Sequence, residues 1–320
     1  MIYMLRDLKI VFIGTPEFGA IILDKLCQGE YKPVLVVASP DKPIGRKQTI
    51  TPPPVKITAE KYEIPVAQPE NIKDIKSEIQ NLKPDLVVVA AYSQLIPKDI
   101  LEIPSFGFLN VHPSLLPKYR GPSPIQYAIL NGDEETGVTI MLMDEKLDRG
   151  KIVSLSRLSI SEEITAEQLT EKTADLGAEL LLNIIPKWIN NEIEPNSQDE
   201  KRATYTKILK KEDGKVDWHK LAKEIERKVR AFSLWPGTHT FWQNKGKTVK
   251  IKILKTRVYK SPQQKRYDIG KVLVVPQNEI GVQCKEDFLV IEKLQIEGKK
   301  ESNAEEFLRG YSDFAGSILE

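Results

Sequence analysis

The chain has 320 residues, of which 41% are hydrophobic and 29% charged, and its net charge is +2. These values are typical of a soluble globular protein and exclude a disordered chain, which lacks the apolar surface that offsets the entropy of ordering. No apolar run approaches the ~20 residues of a membrane span, and the N-terminus lacks the apolar core of a signal peptide. Because two cysteines and three histidines are too few for a disulfide framework or a multi-histidine site, we expect a cytoplasmic protein without a metal or a membrane partner.

The first elements predict a strand followed by a helix. Residues 8–13 are apolar at nearly every position, and Thr15 and Pro16 then predict the N-cap and first turn of a helix that ends at Gly29. The apolar face of this helix carries Phe18, Ile21, Ile22 and Leu26.

Apolar runs continue to alternate with helical segments through the first half. Further strands are predicted at residues 34–38, 85–90, 106–111, 138–143 and 151–160. Runs that are apolar at every position suit strands covered on both faces, as in a parallel α/β sheet. Thr165 and Gln168 then form a capping box for a long helix. We therefore predict a doubly wound, Rossmann-like α/β domain over residues 1–189.

The pattern changes in the last third of the chain. Residues 190–206 are polar and predict a linker, after which Asp217 is placed to cap a short helix that ends before Trp235. Apolar residues then alternate with lysines over residues 249–253, and short strands are predicted at residues 272–275 and 288–291. Short alternating strands of this kind predict a small OB-like β-barrel over residues 207–320.

Charge is unevenly distributed between these regions. Residues 205–320 contain 24 Lys and Arg against 16 Asp and Glu, and residues 1–204 contain 23 against 29. Within the basic part, residues 245–266 carry nine Lys and Arg and no acid. This distribution suggests contact with a polyanion, and an ordinary solvated surface is the alternative.

A glycine-containing turn follows the first strand, with the sequence GTPEFG at residues 14–19. It departs from the dinucleotide-binding pattern GxGxxG because Pro16 stands where the second glycine must let a pyrophosphate approach. This disfavours a nicotinamide-dependent oxidoreductase. The helix N-terminus could still receive an anion, or the segment is an ordinary turn.

Asn110 and His112 are candidate catalytic residues, because they lie two apart at the end of a predicted strand, on one side of it. Ligands bind at the carboxyl ends of strands in open α/β sheets. There, an amide and an imidazole could stabilise an oxyanion and move a proton. Asp148 and Asp144, after the next strand, are both candidates to orient the imidazole, and spacing alone does not choose between them. The alternative is that these side chains only satisfy loop backbone.

Six segments in this order resemble the methionyl-tRNA formyltransferase family: IGTPEFG, SPDKPIGR, VVAAYSQLIP, NVHPSLLPKYRGPSPIQ, GVTIMLMDEKLDRG and AFSLWPG. Through these segments the resemblance extends over residues 1–240, and the rest of the chain agrees in length and composition. The combination of H-x-SLLP with the later LD-x-G is specific for formyltransferases that use 10-formyltetrahydrofolate. The resemblance implies that this folate is the co-substrate and that initiator methionyl-tRNA is the partner. We expect a monomer, because two domains would serve one large substrate.

The resemblance also implies roles for individual residues. Asn110, His112 and Asp148 match the catalytic trio, which favours Asp148 over Asp144. The residues implied in folate binding are Ser114, Leu115, Leu116 and Pro117, with Val89, Tyr92 and Leu95 in the wall of the pterin pocket. Ser93 is a departure, since glycine is expected there.

Two regions are expected to contact tRNA. The insertion at residues 41–56 would meet the acceptor end through Arg46 and Lys47. Basic residues of the C-terminal domain would contact phosphates, which gives affinity that falls with salt. The candidates there are Lys245, Lys247, Lys250 and Lys252. Two alternatives stay open: a formyltransferase acting on a nucleotide or sugar amine, and a nucleic-acid-binding protein without activity.

Overall fold

The computed structural model describes residues 8–45, 47–260 and 266–320, without the side chain of Ile44. Its described residues divide into two compact units. The first unit runs up to Pro124 and adds residues 134–160 and 168–207, and the second takes residues 125–133, 161–167 and 208–320. The domain limits at 1–189, 190–206 and 207–320 stay predictions. Segment 190–206 groups with the first unit.

The strands of the first unit are β1 Ile10–Gly14, β2 Leu35–Val37, β3 Lys42–Ile44, β4 Thr49–Thr51, β5 Val66–Ala67, β6 Leu86–Ala90, β7 Phe108–His112, β8 Glu135–Leu142 and β9 Lys151–Ser159. Its helices are α1 Glu17–Gln28, α2 Pro54–Lys61, α3 Lys76–Leu82, α4 Lys98–Leu101 and α6 Ala166–Ile189, whose first two residues group with the second unit. The main sheet has the order β5-β2-β1-β6-β7-β8-β9, and β3 and β4 form a separate hairpin.

The expectation of a parallel sheet is correct for one part and wrong for the other. Strands β5, β2, β1, β6 and β7 are parallel, whereas β8 and β9 are antiparallel to their neighbours. An apolar run indicates burial on both faces and carries no information about strand direction, which explains the error. The alternating burial of β9 agrees with its place at the edge of the sheet.

The central strands pack into hydrophobic clusters on both faces, as the apolar runs predict. In β6, Val88 and Ala90 belong to one cluster, and Val87 and Val89 to another. Each fully buried aliphatic side chain contributes about 1.5–3 kcal/mol, so these strands are a rigid base for the polar residues at their ends.

The turn between β1 and α1 has a different local structure from the predicted one. Thr15 is not the N-cap, because Pro16 takes that position and the Thr15 hydroxyl lies 3.0 Å from Ser39 Oγ. A Cβ on Gly14 would approach the Ala90 carbonyl oxygen to 2.6 Å, and one on Gly19 to 2.8 Å. The two glycines therefore serve close packing of α1 on the end of β6.

The second unit contains helices α5 Pro124–Asn131, which begins at the last residue of the first unit, α7 Ala222–Ala231 and α8 Ala304–Gly310. Its strands are β10 Thr238–Asn244, β11 Lys247–Tyr259, β12 Val272–Val275, β13 Glu279–Gln283, β14 Phe288–Ile296 and β15 Ser302–Asn303. They form an antiparallel sheet of order β10-β11-β14-β13-β12, in which the short β15 pairs with β14. Phe241 and Glu320 exchange backbone hydrogen bonds, and Leu319 N donates to Gly270 O at 2.9 Å. The C-terminus thus joins the two edges into a partly closed barrel, as the fold class predicted.

Two details of the second unit differ from expectation. Asp217 accepts a hydrogen bond from the His219 amide in a preceding turn, and Leu221 is the N-cap of α7. Strands β10 and β13 were not predicted, because their apolar residues do not stand out from the surrounding sequence. The predicted alternation holds at Ile251 and Ile253, which are buried on either side of the exposed Lys252.

Candidate active site

Asn110 and His112 project from β7, where they alternate with core residues Leu109 and Val111. Both are buried, with 9% and 5% exposure. Asn110 lies between Val89 of β6 and Met141 of β8 in the strand register. The sheet therefore fixes the backbone of both residues, and it aims the two side chains to the same side as expected for a spacing of two.

One ring nitrogen of His112 is held by the backbone. Its Nε2 lies 3.0 Å from the carbonyl oxygen of Tyr119. A carbonyl oxygen can only accept a hydrogen bond, so Nε2 carries a hydrogen and donates. Nδ1 lies 3.8 Å from Asp148 Oδ2, which is the position a second ring proton would face.

Asp148 is itself buried, at 9% exposure, and its backbone is left-handed with φ +50°. Its Oδ2 accepts a hydrogen bond of 2.7 Å from the Gly121 amide. The alternative candidate Asp144 is exposed and accepts a bond from the Lys146 amide in its own turn. The structure therefore brings Asp148, and not Asp144, against His112.

The amide of Asn110 has no hydrogen-bonding partner among the described residues, although it is buried. The loop after β7 is ordered by Thr139, whose hydroxyl donates to Ser114 O at 2.7 Å and accepts from Leu116 N at 3.1 Å. Ser114 Oγ donates to Lys118 O at 2.6 Å, whereas Leu115 and Pro117 stay partly exposed. Of the predicted folate segment, Leu115 and Pro117 are thus the residues open to a ligand.

The three residues predicted to line the pterin pocket lie in different environments. Val89 is 4% exposed and packs in the core, whereas Leu95 is 69% exposed. Tyr92 is half-buried, and its hydroxyl is shielded from solvent without a partner in the described part of the chain. Burial raises the pKa of Tyr92, so the hydroxyl keeps its proton and can donate. Ser93 is exposed.

Of the two residues predicted to meet the tRNA acceptor end, Arg46 lies outside the described residues. Lys47 is exposed in the turn between β3 and β4. Asp41, at the base of this hairpin, forms a 2.8 Å ion pair with Lys56, and the hydrogen bond from Lys56 holds the Asp41 pKa below its usual value. The insertion is therefore an anchored hairpin.

In the second unit, the four predicted lysines lie in the β10–β11 hairpin and are called the hairpin lysines: Lys245, Lys247, Lys250 and Lys252. Lys245, Lys247 and Lys252 are exposed, Lys250 is half-buried, and none forms an ion pair with a residue that the structure describes. By contrast, Lys255 pairs with Glu292 at 2.9 Å, and Arg257 pairs with Glu279. The positive charge available on this strand is thus concentrated at its beginning.

Several residues in contact with the trio were not predicted. Tyr119 and Gly121 supply backbone groups to His112 and Asp148, and Gln198 donates to the backbone carbonyl of Asp148 at 2.9 Å. Arg120, between the first two, is fully buried. Arg120 was not predicted because it lies in a proline-rich loop, where no periodic pattern indicates burial. Gln198 was not predicted because it lies far away in the sequence, in a segment predicted to be a linker. No group of three or more His, Cys, Asp or Glu within the described ranges could hold a metal ion, and no helix found there is long and apolar enough to cross a membrane.

Two family models match the chain: formyl transferase over residues 8–185 and the formyl transferase C-terminal domain over residues 208–312. A methionyl-tRNA formyltransferase of Citrifermentans bemidjiense is 40% identical over 98% of this chain and 97% of its own length. One from Desulforamulus reducens is 42% identical over 98% of both chains.

Solved structures share the fold at low identity. The N-formyltransferase of Helicobacter canadensis, solved with folinic acid and dTDP-3-aminofucose, has a TM-score of 0.64 at 20% identity, covering 89% of this chain and 98% of its own. HypX of Aquifex aeolicus, solved with tetrahydrofolic acid, has a TM-score of 0.62 at 17% identity, covering 96% of this chain and 47% of its own. With both family models matched and relatives near 40% identity over almost the whole length, the chain belongs to the methionyl-tRNA formyltransferase family.

Proposed function

We propose that the chain transfers the formyl group of 10-formyltetrahydrofolate to the α-amine of methionyl-initiator tRNA, in the cytoplasm and as a monomer, for translation initiation. The observation that carries the proposal is the pairing of His112 with Asp148 beside an unpartnered Asn110 amide at the carboxyl end of β7. The acceptor of the formyl group is inferred from relatives named methionyl-tRNA formyltransferase, which are about 40% identical over nearly the full chain.

The residues near the ends of β6 and β7 fit a folate. The Tyr92 hydroxyl is a shielded polar group without a partner among the described residues, and such groups are normally satisfied by a ligand or water. Asn110 is 9% exposed and offers its amide at the end of β7. Leu115 and Pro117, in the loop that follows β7, offer partly exposed apolar surface. When bound, the folate supplies an activated formyl group on its N10.

Asn110 and His112 stabilise the negative charge that develops on the formyl oxygen when the neutral amine attacks. Asn110 Nδ2 is an amide donor with no competing partner in the described chain. His112 donates from Nδ1 once it is protonated, because Nε2–H is already bonded to Tyr119 O. Removing one donor of this kind typically lowers the rate by ~10²–10³.

Asp148 is assigned to the proton transfer that accompanies formyl transfer. The attacking amine must lose a proton and the leaving N10 must gain one. The Asp148 carboxylate lies 3.8 Å from His112 Nδ1, where it faces the second N–H of a protonated ring. It is held in place by the Gly121 amide. We assign it the role of keeping His112 charged and passing the proton from the amine toward N10.

The tRNA is proposed to bind through two basic elements of the chain. The hairpin lysines offer unpaired charge to phosphates, which provides affinity without sequence readout. Arg46 and Lys47 of the β3–β4 insertion are assigned to the acceptor end, whose terminal bases are easily separated.

The test incubates the protein with 10-formyltetrahydrofolate and methionine-charged initiator tRNA and detects formyl-methionine. The expected product requires both substrates, is absent with uncharged tRNA, and disappears in His112→Ala. Folate binding without product would instead indicate a small amine acceptor. If neither product nor folate binding is seen, the proposal is wrong.

A further inference from the structure

Segment 196–206 is hydrogen-bonded to the beginning of β9, to the tripeptide 119–121 and to the loop that carries Asp148. Asn196 and Ile152 exchange backbone bonds of 2.8 Å. Thr204 accepts from the Tyr119 amide through its hydroxyl at 2.8 Å and from the Arg120 amide through its carbonyl at 2.9 Å. The segment is therefore a structural part of the first unit.

The tripeptide 119–121, to which the segment binds, holds both partners of the ion pair. Tyr119 O accepts from His112, and Gly121 N donates to Asp148. Gly121 has φ +108°, and a Cβ there would lie 2.8 Å from the Thr206 carbonyl oxygen. Because Thr204 and Thr206 are also hydrogen-bonded to the backbone of this tripeptide, displacement of the segment would move the groups that hold His112 and Asp148.

Gln198 ties this tripeptide to the Asp148 loop with one side chain. Its Nε2 donates to Asp148 O at 2.9 Å and to Gly150 O at 2.8 Å. Its Oε1 accepts from Arg120 Nε at 3.1 Å and from a terminal Arg120 nitrogen at 2.8 Å. All four contacts of the amide therefore lie between the two loops that meet at the His112–Asp148 pair.

Glu200 completes the support around Arg120, which is fully buried. Its two carboxylate oxygens accept from Arg120 at 2.9 and 3.1 Å, and it also pairs with Arg149 at 3.0 Å. Hydrogen bonding to Glu200 raises the pKa of Arg120, which keeps the guanidinium charged. A buried cation that loses its partner is strongly destabilising, so Glu200 is needed to hold Arg120 in place.

From this geometry we infer that Gln198 is a positioning residue for formyl transfer, acting through Asp148, and that Glu200 supports it through Arg120. The inference rests on the proposed function. The sequence predicts this segment as a linker, and the inference gives it a role in aligning the reacting groups. A misplacement of reacting groups by about 1 Å lowers the rate ~10²-fold.

Two substitutions test the contacts that the nitrogen and the oxygen of the Gln198 amide make. Gln198→Met removes its polar contacts on both sides. Gln198→Glu keeps acceptor oxygens for Arg120 but turns an oxygen toward the Asp148 and Gly150 carbonyls. We expect both to lower kcat about ten- to hundredfold, with KM values for folate and charged tRNA within about twofold and a shifted pH dependence of kcat.

The matched control is Ser197→Ala at the neighbouring exposed position, which should leave kcat and its pH profile unchanged. Glu200→Gln, which keeps an acceptor for Arg120, should retain more activity than Glu200→Ala. Each variant is compared by thermal unfolding, so that loss of folded protein is measured separately from loss of kcat.

A kcat within twofold of wild type in a folded Gln198→Glu or Gln198→Met protein would overturn the inference. A loss that appears only in KM for tRNA, or only in the folded fraction, would do the same. Asp148→Asn is measured in parallel. If Asp148→Asn is inactive and the Gln198 variants are active, the inference alone fails. If Asp148→Asn is fully active, the proposed catalytic assignment fails as well.

Discussion

The side chains of His112 and Asp148 near β7 are buried and bonded to backbone, whereas three of the four hairpin lysines are exposed and none of the four forms an ion pair with a described residue. His112 and Asp148 are each held by a backbone group of the tripeptide 119–121. Lys247 and Lys252, by contrast, extend into solvent. The difference follows from the tasks proposed for them. Acyl transfer needs donors fixed before the charge develops, whereas phosphate binding needs only positive charge within reach.

This comparison predicts that changes near β7 affect turnover and changes in the hairpin affect affinity. The largest effect is expected for Asp148→Asn, which keeps the size of the side chain but removes the charge that stabilises protonated His112. We expect kcat to fall by ~10²–10⁴, with the Kd for folate within about twofold. Steady-state kinetics and folate titration measure the two quantities.

Asp144→Asn is the control for this variant, because Asp144 lies on the same loop but is exposed and bonded only to its own turn. Its kcat should equal that of wild type. A kcat of Asp148→Asn within about threefold of wild type would remove Asp148 from the mechanism.

A smaller effect, on binding alone, is expected for the double variant Lys250→Gln and Lys252→Gln. Loss of two phosphate contacts should raise the Kd for tRNA by about tenfold at low salt and reduce the slope of log K against log salt by about two. The kcat at saturating tRNA should not change. Titrations of charged tRNA at several salt concentrations measure both quantities.

Lys255→Gln is the matched control on the same strand, since Lys255 is already neutralised by Glu292 at 2.9 Å. Its Kd for tRNA should stay within twofold of wild type. Equal effects of the control and the double variant would mean that binding depends on total charge and not on the hairpin lysines.

Local sequence patterns predicted the central strands and the shared side of Asn110 and His112. Asp148 was favoured over Asp144 only through the family resemblance, and the catalytic role of the three residues stays a prediction. Apolar runs predict central strands such as β6, and the spacing of Asn110 and His112 predicts one face of a strand. Sequence reasoning did not reach Gln198, whose role depends on a bond to a carbonyl 50 residues away. Thr15 was predicted as a cap because its sequence context suits one, but the Ser39 hydroxyl across the sheet competes for it. Long-range polar contacts of this kind leave no mark in local sequence.

The smallest expected effect is on the pH dependence of stability and involves His239, which lies next to the hairpin lysines in the sheet. His239 lies opposite Lys252 in the strand register and is 8% exposed. Burial, and then the charges of Lys250, Lys228 and Lys211, lower the His239 pKa, which Glu297 opposes only weakly.

Because the folded-state pKa lies below the ordinary value of about 6.5, the unfolded chain binds the proton more tightly. His239 should therefore have no effect on stability above about pH 6.5, and it should reduce stability as the pH falls from there through its folded pKa. In His239→Gln, the drop in Tm between pH 7 and pH 5 should be smaller than in wild type. If bound tRNA neutralises the surrounding lysines, it should also reduce that drop in wild type but not in the variant. Identical pH dependence of Tm in both proteins would show that protonation of His239 does not reduce the stability of the fold.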